Sequence, residues 1–259
     1  MVRQIALSLA CVCLCSRLLA ADFGDITATF VLDGTAPAPK KLDTAKEPLC
    51  VKEGEAMYDE RLTVNKENGG VKDVVVYLFL KPGEKAPEAH PDQKKQAETP
   101  VELDNAGCRF VPRIALVMTN QQLVVKNSDK FGHNTNLSLI DNPAQNPNLP
   151  SGGKVEFKFA KSEKVPIPVA CNIHPWMGGY VVVKDHPFMA VSDANGKLTI
   201  KNVPTGSRTF QLWHGSFISE GKQNGKAVKW ERGRVTLDVK AGTNDLGEIK
   251  IPVKHFQSK

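Results

Sequence analysis

Beyond its first twenty-one residues, this chain of 259 residues has no apolar run long enough to span a bilayer as a helix. It also lacks any basic run longer than pairs such as Lys40-Lys41 and Lys94-Lys95, and its lysines are interleaved with Asp and Glu. The net charge of +6 is therefore a solvated surface, and a nucleic-acid partner is not expected. No Gly-x-Ser-x-Gly, His-Glu-x-x-His or phosphate-cradling glycine loop occurs, which removes the common hydrolase, zinc-protease and nucleotide-binding readings. No internal repeat is evident. What is present has to be sought in the scarce residues, six cysteines and six histidines.

Residues 1–21 carry Arg3, the apolar stretch "IALSLACVCLC" and small residues ahead of Asp22. That layout is expected to be a secretory signal peptide, cleaved near Ala20 or Ala21, so the mature protein is expected outside the cytoplasm, secreted or periplasmic, without a transmembrane segment. Removing it takes away Cys11, Cys13 and Cys15 and leaves Cys50, Cys108 and Cys171. An odd number of thiols in an oxidising compartment calls for an explanation. Three pairings are open, as are free structural thiols. If Cys171 binds a metal, the natural pair is Cys50 with Cys108, a bridge that closes a loop of about 58 residues and contributes roughly 4 kcal/mol.

The mature chain reads as β nearly throughout. "DITATFVLDG" and "KVEFKFAK" alternate, "GGVKDVVVYLFLKPG" and "GYVVVKD" are continuous apolar strands, and "RIALVMTNQQLVVKNSD" gives two strands about a polar turn. Further strands follow in "MAVSDANGKLTIKNVPTGSRTFQLWH", "RVTLDV" and "EIKIPV", with Asn195-Gly196 as a hairpin signal. Many short strands with frequent turns predict sandwiches of antiparallel sheets. Residues 81–100 and 141–153 read as loops. The expected division is a signal peptide at 1–21, a first β domain at 22–184 and a small second β domain at 185–259.

In "VACNIHPWMGGY", Cys171, His174 and Met177 recur at three-residue intervals. A thiolate, an imidazole and a thioether make three quarters of a type 1 copper site, which needs a second imidazole. The candidate is His133 in "KNSDKFGHNTNLSL", on a loop that begins a strand. Zinc favours four strong ligands, usually from paired Cys-x-x-Cys or His motifs, and this chain offers neither. Six histidines are too few for the trinuclear centre of a multicopper oxidase.

With "LVVKNSDKFGHN" and "CNIHPWMGGYVVV", the chain resembles the cupredoxins, the plastocyanin- and amicyanin-like blue-copper proteins. "CNIHPWM" followed by "HPFMAVSDANGKLTIKNVPTG" and "LWH" is closer still to secreted methylamine-utilisation-like proteins, which carry a C-terminal carboxypeptidase-regulatory-like β domain. The resemblance covers roughly residues 70–215. It implies an all-β fold, a Greek-key cupredoxin sandwich followed by a second small sandwich. It implies copper held by His133, Cys171 and His174 with Met177 as axial ligand, and Asn134 tying the two ligand loops together. Gly132 and Thr135 depart from the pattern, where proline and valine are usual. So does "VPIPVAC", whose prolines predict an edge or a bulge near Pro166 and Pro168.

The function expected is single-electron transfer, not catalysis, with a c-type cytochrome or a periplasmic oxidoreductase as partner. The edge of His174 is the expected exit to solvent, with Pro175 and Trp176 as an apolar docking patch or as ordinary packing. The alternative is a secreted copper-binding or storage protein, or an adhesion module without redox role. His186 and His214 read as polar residues at a domain interface or as a further metal site. His90 and His255 have no assigned role.

Overall fold

The computed structural model describes residues 23–44, 47–51 and 55–257; the expected signal peptide lies outside the described residues. Strands dominate the described chain. Helix is confined to Pro91–Gln96, Lys254–Gln257 and the short 3-10 turns Pro48–Cys50 and Glu231–Gly233. The first of these falls in the expected 81–100 loop, where the His90 ring accepts the Asp92 N–H and the Gln93 side chain accepts the His90 N–H. That reciprocal cap gives His90 a structural role that the sequence did not suggest.

Four sheets carry the fold. One orders Lys197–Pro204, Phe23–Asp33, Gly242–Pro252, Glu220–Gln223 and Lys226–Lys229; the next orders Met189–Val191, Val75–Leu78, Gly206–Trp213 and Arg234–Val239. A third orders Ile114–Met118, Gly178–Lys184, Ile167–Ala170 and Asn136–Leu137, and a fourth Lys154–Lys158, Gln122–Asn127, Val101–Asn105 and Phe110–Val111. The sheets are mixed and not purely antiparallel. Phe23–Asp33 runs parallel to Gly242–Pro252, Ile114–Met118 to Gly178–Lys184, and Val101–Asn105 to Gln122–Asn127. In the last case the chain passes through Ile114–Met118 of the opposing sheet before returning, and such a crossover restores the strand direction.

The period of each strand reports its layer. Phe23–Asp33 alternates strictly, and its buried residues Ile26, Phe30 and Leu32 meet Val76, Leu78 and Phe210 of the second sheet. Gln122–Asn127 also alternates, placing Leu123 and Val125 against Val169, Val181 and Val183 of the third sheet. The two continuous apolar runs lie in between. Val75 and Tyr77 turn their other face toward Ile114 and Val182, forming a third core that joins the second and third sheets. Both runs are buried on two faces, which is why they do not alternate. Each side chain so enclosed contributes about 1.5–3 kcal/mol. The order of layers is thus one sandwich stacked on another through its inner sheet.

The division expected at residue 185 does not follow the sheets. Phe23–Asp33 lies between Lys197–Pro204 and Gly242–Pro252, and Val75–Leu78 lies between Met189–Val191 and Gly206–Trp213. The second sandwich is therefore built from both ends of the described chain, with the first inserted between them. Asn195-Gly196 forms a tight turn, but the strands it joins pair in different sheets, Met189–Val191 with Val75–Leu78 and Lys197–Pro204 with Phe23–Asp33. The Gly196 amide carbonyl accepts the Phe30 N–H at 2.7 Å. A Cβ there would stand 2.1 Å from Phe30 O at a φ of +76°, so glycine is required by the crossing. Pro168 pairs with Tyr180 on one side only, while Asn136–Leu137 covers just Val169 and Ala170 on the other. The strand is an edge where the proline sits, as expected.

His186 and His214 are not brought together with any metal-type group among the described residues. His186 is buried, its Nε2 donates to Leu78 O at 3.0 Å, and its ring stacks on Phe188. Burial holds its pKa down, from 6.5 to about 4. The unfolded chain takes up this proton near pH 6.5 and the folded chain only near pH 4. Stability is then complete above the first value and falls between the two, by roughly 3 kcal/mol at the lower one. Urea unfolding of wild type and His186→Gln across this range is expected to show a shallower acid slope in the variant.

Candidate metal centre

The loop that bears Cys171, His174 and Met177 is closed on itself. Cys171 N–H donates to Met177 O at 3.2 Å and Met177 N–H donates to His174 O at 2.9 Å. It connects Ile167–Ala170 to Gly178–Lys184, two strands that pair antiparallel. His133 and Asn134 arrive from another direction, in a two-residue strand paired with Asn148–Leu149. That partner belongs to the proline- and asparagine-rich stretch expected to be a loop. Asn127 closes the intervening turn, donating from its side chain to Phe131 O at 2.8 Å and Leu149 O at 2.9 Å.

The sulfur of Cys171 lies 3.8 Å from His133 Nδ1 and 3.6 Å from His174 Nδ1. The two imidazole rings are 4.6 Å apart between centroids. His133 is 1% exposed, and Cys171, His174 and Met177 are each 2% exposed. Cys171 is a free cysteine, and with His133 and His174 its ligand atoms all lie within 4.8 Å of one another. Met177 is buried in the same apolar cluster as Cys171. Burial pushes the Cys171 thiol up, but contacts with the His133 ring and with the backbone of Asn134 and His174 outweigh it and bring the pKa down to about 6.

Surrounding groups fix these orientations. Asn134 Oδ1 accepts the Asn172 N–H at 2.7 Å and stands 3.4 Å from Cys171 Sγ, so it ties the two ligand segments together. Asp129 does more than the sequence suggested. Its Oδ2 lies 2.8 Å from His133 Nε2, and its two oxygens accept the N–H groups of Gly107 and Cys108 at 2.7 and 2.9 Å. A carboxylate only accepts, so Nε2 donates to Asp129, and Nδ1 is the ring nitrogen that faces the sulfur. The spacing of Asp129, four residues before His133 on an Asn-Ser-Asp turn, was the available signal.

Cys50 and Cys108 form the disulfide, 58 residues apart in sequence. It is placed against the centre: both sulfurs lie within 4.8 Å of a His174 ring nitrogen, and Cys108 Sγ is as near to His133 and Asp129. Glu47 Oε2 stands 3.7 Å from His174 Nε2. The His174 edge is therefore covered by the 47–51 segment, in contrast to the expected opening to solvent. Trp176 lies beside His174, ring centroids 5.5 Å apart, and is half-buried, whereas Pro175 is exposed. Both line a cleft of about 400 Å³ with Met177. This is not an apolar patch, because Arg61, Arg109 and Arg113 share its wall, paired with Asp59, Glu60 and Asp73.

Replacing Asp129 with alanine strands two backbone N–H groups and the His133 ring proton. Asp129→Ala is expected to lower the stability of the metal-free chain by about 2–4 kcal/mol in urea unfolding, where an exposed carboxylate would cost almost nothing.

No family model and no curated protein matches the chain. Among solved structures, a Cu-containing nitrite reductase from Thermus scotoductus SA-01 is 19% identical over 41% of this chain, with a TM-score of 0.30; the match spans 25% of the reductase chain. A mutant of amicyanin in the Cu(I) state is 18% identical over 32% of this chain and 81% of its own, with a TM-score of 0.29. A purple cupredoxin from Nitrosopumilus maritimus is 20% identical over 33% of this chain and 98% of its own, with a TM-score of 0.28.

Proposed function

We infer that the chain is an electron carrier that holds one copper ion on His133, Cys171 and His174, with Met177 as a weak fourth ligand. The observation that carries this reading is the convergence of His133 Nδ1, His174 Nδ1 and Cys171 Sγ, at sulfur–nitrogen separations of 3.8 and 3.6 Å. Donors bound at bond lengths of about 2.0 Å for nitrogen and 2.3 Å for thiolate, spread about 120° apart, stand about 3.7 Å from each other. The donor set fits one trigonal ion. A thioether beside them favours copper over zinc.

Copper, when bound, supplies one-electron chemistry between Cu(I) and Cu(II). The chain's part is to keep the donors still. Asp129 holds the His133 tautomer, Asn134 locks one ligand segment to the other, and the hydrogen bonds at both ends of the 171–177 loop prevent it from opening. The low pKa of Cys171 keeps a substantial share of thiolate at neutral pH. Among the described residues no helix is long and apolar enough to cross a membrane. With the leader-like residues 1–21, the reading places the carrier outside the cytoplasm. Its partner is then a redox protein such as a c-type cytochrome, meeting the Pro175–Trp176 surface, and the outer sandwich assists docking.

Titration of metal-free protein with Cu(II) is expected to give an intense absorption near about 600 nm that saturates at one equivalent and is absent from Cys171→Ser. A colourless product, or zinc bound in preference to copper, would overturn the reading.

A further inference from the structure

At the opposite end of Gly178–Lys184 from Met177, about 20 Å along the strand, a cleft of about 580 Å³ opens where the two sandwiches meet. Junctions between domains are common positions for small-molecule sites, and this volume is in their range. Five cationic side chains and three carboxylates line it. The carboxylate of one of the three, Glu163, is fully occupied by the N–H groups of residues 140–142 and the Asn142 side chain.

The cations are short of partners. Among the described residues no carboxylate lies within ion-pair distance of Lys184, Arg232 or Arg234, while Lys164 has Asp141 at 3.6 Å. Lys184 is 7% exposed. Its amine donates to the Glu163 backbone carbonyl and stands 4.1 Å above the Tyr77 ring. The Arg234 guanidinium covers the Phe79 ring at 3.9 Å. Burial lowers the Lys184 pKa to about 8 against the opposing pull of Asp185 and Glu163, neither of which is within ion-pair distance, so the ammonium is still charged at neutral pH without a direct salt bridge.

Further polar atoms around the same cleft are also unsatisfied. Tyr77 OH, Ser162 Oγ, Arg234 Nε and His186 Nδ1 are buried without a hydrogen-bond partner. His186 Nε2 donates to a carbonyl, so the unpartnered Nδ1 is an acceptor and calls for a donor on whatever faces it. Unpartnered groups of this kind are costly, and four of them line this one cleft.

We propose that this cleft is a binding site for a small hydroxylated carboxylate, whose anionic oxygens meet Lys184 and Arg234 and whose hydroxyl meets His186 Nδ1. The site is separate from the metal centre and does not depend on it. It gives the junction between sandwiches a ligand-binding role that electron transfer alone does not require.

Calorimetric titration of the metal-free full chain with malate, and separately with inorganic phosphate, at about 0.15 M salt tests this. Saturable malate binding, tighter than phosphate, weakened about tenfold or more by Arg234→Gln and unchanged by Cys171→Ser, is the expected result. Circular dichroism checks that each variant is folded. Lys184→Met, which removes the ammonium but keeps an unbranched side chain of similar length, supplies a second loss of affinity if Arg234→Gln does not fold. Absence of saturable malate binding, or malate binding indifferent to both variants, overturns the site. Phosphate binding as tightly as malate overturns the organic ligand.

Discussion

Two imidazoles and a thiol buried against one another leave inward-facing lone pairs that water cannot reach. A shared cation would satisfy all of them at once, and the surrounding fold holds the three groups in place. His133 comes from a segment stitched to the 148–149 strand, and Cys171 and His174 from a loop pinned at both ends. Asn134 and Asp129 then decide how the two groups face each other. Such a cluster is expensive to bury without a function. The disulfide, Glu47 and Trp176 complete its enclosure.

Local features were legible in the sequence because they depend on neighbours a few residues apart. The alternation of Phe23–Asp33 and Gln122–Asn127, the continuous runs around Val75 and Val181, and the three-residue spacing of Cys171, His174 and Met177 are of this kind. His133 is expected beside them because a type 1 donor set needs a second imidazole, and the structure brings its ring against Cys171 and His174. What escaped depends on long-range pairing. Phe23–Asp33 beside Gly242–Pro252 has no local signature, so the chain was divided in sequence order when the sheets divide it otherwise. The same holds for Glu47 beside His174 and for the disulfide lying on the centre. Asn195-Gly196 is a turn without being a hairpin, since turn chemistry specifies the bend and not the sheet each strand joins.

The strand Gly178–Lys184 is the mechanical link of the molecule. Val181 and Val183 pack into the core that holds Cys171, while Val182 packs into the core shared with the other sandwich. A strand packed on both faces has little freedom to shift, and it holds one end of the loop that carries Cys171, His174 and Met177. The same packing leaves one end of the strand at the 171–177 loop and the other at the junction cleft.

The nesting of one sandwich inside the other also sets an order of assembly. Every strand of the inner sandwich lies between residues 101 and 184, and both cysteines of the bridge come before that segment ends. The inner unit has all its pairing partners once Lys184 is made. Phe23–Asp33 must wait for Lys197–Pro204 and Gly242–Pro252, made last, before both of its edges are covered. During synthesis this early strand therefore passes the longest interval with open hydrogen-bonding edges. Asp25, Thr27, Thr29 and Asp33 on its less buried face make that open strand a poorer template for pairing with another chain.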